Sequence, residues 1–403
     1  MAAISTRQKA EQLIERIHKD QLLAPKTILF GRGKLDQLGE LVFPLAWGGQ
    51  TAVIITGLRS AQKSGLTDRI ETLLTRFTVK GIRTAAVHRE PTVEMVAKGV
   101  ELARPAKPKL VISAGGGSVI DFGKAIAAML TNEGSVEEYL EGVGTRDKLQ
   151  NPPLPHIAIP TVAGTGAEMT KNAVIQSPEK GYKKSLRDDS LVPTAALVDP
   201  LLMLGVAPHT TASGGMDAIT QLIESCLTMK RRRETTDLAK EGLRLMRQSL
   251  ALAYEDAENI AAREQIALAS MLSGVCLANA GLAMAHGIAA ALGALHEVPH
   301  GLACGILLPH TLRYNRSACE TQMADALAAF LNQDRATRST IDEGIEAIEG
   351  LNRWLQIPAD LKYLGLSAED IDRIARAAGG TSMSANPIPM TPEKTREFLQ
   401  TIA

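Results

Sequence analysis

The stretch Leu110-Val-Ile-Ser-Ala-Gly-Gly-Gly-Ser118 runs an apolar, β-prone segment into three glycines and then, from near Val119, into text with helical spacing. Glycines between a strand and a helix let backbone N–H groups approach a phosphate with no Cβ in the way. The helix N-terminus adds favourable partial charge. Gly115, Gly116 and Gly117 therefore form a candidate phosphate loop, with the Ser118 hydroxyl as a further donor; a plain flexible turn has the same composition. A second junction, Pro160-Thr-Val-Ala-Gly-Thr-Gly-Ala-Glu168, follows the strand-like His156-Ile-Ala-Ile159 and offers the Thr161 and Thr165 hydroxyls to the same ligand. Two such turns at strand ends point to a dinucleotide crevice.

Outward from these loops, β-prone runs at residues 26–30, 51–56, 84–87, 110–113, 156–159 and 195–198 alternate with helical periods. That alternation is the pattern of a parallel α/β sheet. From residue 210 strands nearly vanish, and residues 210–229, 235–254, 259–278, 322–331 and 341–355 carry helical apolar spacing rich in Ala, Leu and Met. The expected fold is an α/β dinucleotide-binding domain over residues 1–205, then an all-helical domain over 206–403, with a hinge near residues 200–208. A short amphipathic helix at residues 5–20, carrying Leu13, Ile14 and Ile17, precedes the first strand.

Length and charge limit the function. At 403 residues two domains are the natural expectation, and 44 Lys plus Arg against 44 Asp plus Glu leave no global field to recruit nucleic acid or an anionic membrane. A small-molecule partner is favoured. Cys226, Cys276, Cys304 and Cys319 lie far apart without C-x-x-C spacing and read as reduced packing residues. No leader pattern is seen, and no uncharged apolar run is expected to be long enough to cross a bilayer, so the protein is expected to be cytoplasmic.

A candidate metal centre lies in the second half. Asp217 falls in Gly214-Gly-Met-Asp-Ala-Ile-Thr-Gln-Leu-Ile-Glu224, where helical spacing puts Asp217 and Gln221 on one face, one turn apart. His286 and His300 are fourteen residues apart, roughly 21 Å along a continuous helix. The intervening His296-Glu-Val-Pro299 contains a proline that breaks the helix and lets the chain bring His300 back toward His286. Asp217, His286 and His300 would then make a nitrogen and oxygen site suited to zinc or iron(II), with positions open for substrate. Ordinary core or surface histidines are the alternative.

Beyond about residue 24 the chain resembles the iron-containing, or group III, alcohol dehydrogenase family. Gly115-Gly-Gly-Ser-Val-Ile-Asp-Phe-Gly-Lys124 is similar to the family's GGGSxxDxxK loop, and the 160–168 turn to its PTxxGTGxE turn. Val198-Asp-Pro200, residues 215–224, Pro299-His-Gly301 and Leu308-Pro309 continue in family order. The resemblance implies an N-terminal Rossmann-like domain, a helical metal domain, a cleft between them and commonly a homodimer. It matches Asp217, His286 and His300 to metal ligands, and Gly116, Gly117, Ser118, Thr161 and Thr165 to cofactor contacts. Asp121 lies nearby, and Lys183 matches a basic residue at the cleft.

Two positions depart from the family pattern. Its usual fourth ligand, a histidine one turn after the aspartate, is Gln221 here, and a histidine often assigned to proton relay is Ala290. The implied activity is hydride transfer between NAD(P)(H) and a small primary or secondary alcohol, aldehyde or ketone, with one Fe2+ or Zn2+ as Lewis acid. His296, cofactor ribose hydroxyls or bound water are the candidates for moving the proton. The glycerol dehydrogenase branch, whose zinc is held by one acid and two histidines, resembles this ligand set. The maleylacetate reductase branch, described as metal-independent, keeps a second mechanism open, and a non-catalytic scaffold of the same fold is a third reading. The family's NAD users often carry Asp where this chain has Gly57. With Arg59 and Ser60 beside it to meet a 2′-phosphate, NADP(H) is expected to be preferred over NAD(H).

Overall fold

Alternating side chains on the central strands fill two apolar layers, one on either face of a six-stranded parallel sheet. The computed structural model describes residues 5–46, 49–58, 64–84, 87, 90–146 and 148–403. The sheet contains β1 (Thr27–Phe30), β2 (Thr51–Thr56), β3 (Lys80–Arg83), β4 (Leu110–Gly115), β5 (His156–Pro160) and β8 (Ala195–Val198), in the order β1-β8-β5-β4-β2-β3. Val53, Ile55 and Val111 face a core shared with Phe122 and Ile126, while Ala52, Ile54, Leu110 and Ile112 face the opposite core with Ile70 and Leu74. Burial on both faces explains why these strands read as continuous apolar runs. Helices α1 (Thr6–Lys19), α2 (Leu38–Val42), α3 (Leu66–Thr75), α4 (Val93–Ala103) and α5 (Gly117–Met129) are the regular helices among the described residues of this half.

The chain divides into two compact units, residues 1–162 with 167–203, and residues 163–166 with 204–403. In the first, α5 lies close against the sheet because position 123 has no side chain. A Cβ there would come within 2.8 Å of the Ser113 Cβ and 2.9 Å of the His156 Nε2. A hairpin of β6 (Asn172–Ser177) and β7 (Tyr182–Arg187) packs beside α5 in a separate two-stranded sheet. The sequence reading missed this hairpin. It also set one strand at 84–87, of which 85 and 86 lie outside the described residues; the described strand β3 occupies Lys80–Arg83, in register Thr51↔Lys80 with β2, and Val87 makes an isolated bridge to Gly57.

The second unit is helical: α6 (Pro208–Leu227), α7 (Arg233–Glu255), α8 (Ile260–Ala280), α9 (Met284–His296), α10 (His300–Asn315), α11 (Glu320–Phe330), α12 (Thr340–Trp354), α13 (Ala368–Ala377) and α14 (Pro392–Gln400). By length and composition α8 is apolar enough to cross a membrane, although Arg263 and Glu264 within it mean that it is not an uncharged run. Its most apolar window is 78% buried inside the fold, and apolar residues all round a helix are what a core position demands. The charged Arg263 near its start donates to the carbonyls of Val206 and Ala257 and to the Thr211 hydroxyl. Residues 163–166 sit directly on this helix. Gly166 has φ +60°, and a Cβ there would lie 2.6 Å from Gly274 Cα, so glycine is required for both conformation and approach.

Candidate active site

In the first unit, the strand order turns back between β2 and β4. The chain runs outward from β2 to β3 and then returns to β4 on the other side of β2. Ligands of open α/β sheets bind at the carboxyl ends of the strands flanking such a switch point. Those ends are in register, Thr56↔Ala114 and Gly115↔Pro160, so Gly57, Gly115 and Thr161 sit at the ends of three adjacent strands. Gly115 closes β4, Gly116 is the N-cap of α5 and Gly117 its first residue, followed by Ser118. The helix therefore begins two residues before Val119, and its free N–H groups lie at the glycines. The Thr161 amide donates to the Gly115 carbonyl at 3.0 Å, tying the two turns together.

The remaining expected cofactor residues are placed as follows. Thr165 belongs to the second unit with its side chain exposed, and its carbonyl accepts from the Gln221 amide at 3.2 Å. Asp121 is largely buried and accepts from the Val174 amide at 3.0 Å, holding the hairpin against α5; burial pushes its pKa up and Lys124 partly offsets this. Lys124 donates to Thr170 Oγ1 at 2.8 Å and to the Asn172 carbonyl at 2.9 Å, and burial brings it down to about 8. Lys183, on β7, pairs with Glu90, so its charge is met within the first unit. Arg59 and Ser60 lie outside the described residues.

In the second unit, α9 ends at His296, Glu297 takes a left-handed conformation (φ 53°), and Pro299 caps α10, which starts at His300. The expected break thus brings two histidines from different helices together, with ring centroids 5.4 Å apart. Asp217 on α6 faces both: its Oδ1 lies 3.2 Å from His286 Nε2 and 3.8 Å from His300 Nε2. Cys304, one turn after His300, joins them, and donor atoms of all four residues lie within 4.8 Å of one another. The sequence reading took Cys304 for a packing residue. It is buried and reduced as expected, but among ligand-type side chains. A carboxylate, two imidazoles and a thiol are the donor types that hold a divalent transition ion.

Glu224 was also missed as a functional residue. Seven residues after Asp217 on α6, it accepts His286 Nδ1–H at 2.7 Å and the amides of Ala283 at 2.9 Å and Ala285 at 2.7 Å. It thus holds the first turn of α9 and leaves His286 Nε2 as the nitrogen that faces Asp217. Burial alone would raise the Asp217 pKa, but the neighbouring His300 and His286 hold it below the ordinary carboxylate value. Burial opposes the His286 imidazolium, yet Cys304, Asp217 and Glu224 around it raise its pKa well above the usual histidine value. Gln221 Oε1 is buried without a hydrogen-bond partner among the described residues, although its amide nitrogen is held by Thr165.

His296 does not join this group. It ends the helix that carries His286 ten residues earlier, roughly 15 Å along the axis, and its Nε2 lies 3.8 Å from Asp370 Oδ1. The helix is continuous between the two residues, which sets His296 apart from His286 and favours water or cofactor hydroxyls for direct proton exchange. We expect His296→Ala to change kcat by no more than about threefold, where loss of a direct general acid would cost about 100-fold or more. A hundredfold loss with an altered pH profile would restore the direct role.

A family model described as iron-containing alcohol dehydrogenase matches residues 25–200, and one described as the C-terminal region of that family matches 211–403. The chain is 31% identical over 374 residues to alcohol dehydrogenase 4 of Saccharomyces cerevisiae (strain YJM789), covering 92% of this chain and 95% of the yeast protein. It is 34% identical over 361 residues to 1,3-propanediol dehydrogenase of Citrobacter freundii, covering 88% and 91%. The solved alcohol dehydrogenase of Oenococcus oeni superposes with a TM-score of 0.88 at 29% identity, covering 95% of this chain and 99% of that one.

Proposed function

Since this chain belongs to the iron-containing alcohol dehydrogenase family, we propose that it interconverts a small alcohol and its aldehyde or ketone with a nicotinamide cofactor and a divalent ion. The convergence of Asp217, His286 and His300, backed by Glu224, carries this reading. When bound, Fe2+ or Zn2+ supplies Lewis acidity at the substrate oxygen and the nicotinamide supplies or takes up the hydride. Asp217 contributes a buried negative charge, the histidines contribute imidazole nitrogens, and Glu224 fixes His286 in one orientation. Gly115 to Ser118, at the N-terminus of α5, would hold the cofactor pyrophosphate, with the Thr161 hydroxyl beside it. Proton exchange is assigned to bound water or cofactor ribose hydroxyls. The reading is tested by screening short alcohols and aldehydes with both cofactors; absence of turnover in every combination, with elemental analysis showing the ion bound, would overturn it. The functional unit is proposed to be a cytoplasmic homodimer, which sedimentation velocity and cell fractionation check.

Cofactor choice is the finer part of the proposal. Gly57 follows β2 at the switch point, where an acid would accept from a ribose 2′-hydroxyl and repel a 2′-phosphate. With glycine there, kcat/KM for NADP(H) is expected to exceed that for NAD(H) by about tenfold or more. Equal values, or a preference for NAD(H), would refute it.

Gln221 keeps one turn's spacing from Asp217 and has a free amide oxygen, so it is proposed as a weak oxygen donor at the ion. Because imidazole nitrogen is a better donor to zinc or iron(II), Gln221→His should tighten metal affinity by about tenfold or more. Competitive titration of metal-free protein measures this. Unchanged or weaker affinity in a folded variant would place residue 221 outside the ligand set.

A further inference from the structure

We propose that Cys304 is itself a ligand of the ion, a thiolate donor that makes up for the missing histidine at position 221; this rests on the metal-dependent reading above. Cys304 follows His300 by one turn on α10, so both side chains leave the same face, and its Sγ lies 3.8 Å from His300 Nε2. Two donors bound to one ion at about 2.0–2.3 Å with a tetrahedral angle between them lie about 3.3–3.6 Å apart. The separations of 3.2 Å (Asp217 to His286), 3.8 Å (Asp217 to His300) and 3.8 Å (His300 to Cys304) bracket that range. The four donors span 4.8 Å at most, so an ion need close the widest separation by no more than about 1.5 Å.

Two of the other cysteines show what ordinary packing looks like in this chain. Cys276 Sγ donates to the Thr235 carbonyl and Cys319 Sγ to the Asn315 carbonyl, each at 3.3 Å, as thiols do when they satisfy a spare backbone acceptor. Cys304 instead has His300 Nε2 at 3.8 Å and donor atoms of Asp217 and His286 within 4.8 Å, all of ligand type. Gln221 offers only a neutral amide oxygen, and its nitrogen is engaged by Thr165. Cys304 therefore brings the number of strong protein donors to four. As the Sγ–metal bond forms, the S–H proton leaves to solvent. A thiolate beside two imidazoles and one carboxylate shifts the site toward zinc and cobalt(II) relative to iron(II).

Cobalt(II) loaded into metal-free protein reads this directly. The wild type is expected to show a near-ultraviolet sulfur-to-cobalt charge-transfer band together with visible ligand-field bands. Cys304→Ser should lose the first, keep the second and bind zinc at least about tenfold more weakly, while Cys276→Ser and Cys319→Ser keep both bands. X-ray absorption of zinc-loaded wild type, which needs no variant, should find one sulfur at about 2.3 Å. Visible bands without the charge-transfer band, zinc without a sulfur neighbour, or a charge-transfer band that survives Cys304→Ser would overturn the assignment of Cys304 and leave metal dependence standing. No ligand-field bands and no bound metal in the wild type would overturn both.

Discussion

Asp217→Ala is expected to reduce kcat/KM by about three orders of magnitude or more and to leave the protein with far less than the one ion per chain expected of the wild type. The carboxylate is the one ligand of fixed negative charge that faces both histidines, at 3.2 Å and 3.8 Å, so its removal takes away the charge that balances a divalent cation in a buried site. The fold should survive the change, because His286 keeps its bond to Glu224 and α9 keeps its first-turn acceptor. Elemental analysis, steady-state kinetics and circular dichroism on one preparation separate these effects. His300→Ala should behave in the same way. Full turnover in Asp217→Ala, with wild-type activity that resists chelation and is not raised by added zinc or iron, would instead point to a metal-independent reductase of the maleylacetate reductase type.

Much of the first unit was legible because its central strands are buried on both faces. Residues 51–56, 110–113 and 156–159 read as apolar runs with Gly or Pro one or two residues beyond, and the structure places β2, β4 and β5 there. The hairpin was not legible. β7 is Tyr-Lys-Lys-Ser-Leu-Arg with only Leu186 buried, and β6 alternates buried and half-buried residues, so neither offers the continuous apolar signal of the sheet. β3 was misplaced for a similar reason: Lys80–Arg83 has no fully buried side chain, while the more apolar text just after it drew the assignment. A ladder with β2, not local hydrophobicity, sets that edge strand.

In the second unit the obstacle was uniformity. Helices α9 and α10 are apolar on nearly every face, and without a polar face the helical period has nothing to contrast with. Pro299 nevertheless announced the break that pairs His286 with His300. The same break carried an unused signal. If α10 begins at His300, then Cys304 is one turn away on the ligand face, visible from spacing alone once the helix start is accepted. Glu224 was likewise within reach, two turns from Asp217 on a stretch already read as helical. Its role required knowing that the start of α9 would be brought against it, which is a tertiary fact.

Glu224 also gives the second large effect. Its carboxylate is buried and accepts three donors at once: the amides of Ala283 and Ala285 and the Nδ1–H of His286. Glu224→Ala leaves two backbone donors of a helix N-terminus and one imidazole unsatisfied in the core, a loss of about 3–5 kcal/mol. Glu224→Gln is the more informative change. It keeps the volume but offers one acceptor oxygen in place of two and turns an NH2 group toward existing donors, so His286 loses its orienting partner or the helix start does. Metal affinity should then fall by about 10–100-fold, with activity recovering as the ion is added in excess, because the missing group orients a ligand and is not one itself. Denaturant unfolding of both metal-free variants, set beside competitive metal titration of Glu224→Gln, separates fold from site. Wild-type affinity in Glu224→Gln would show that His286 is held in place by the packing of α9 alone, and that the carboxylate serves the helix and not the metal centre.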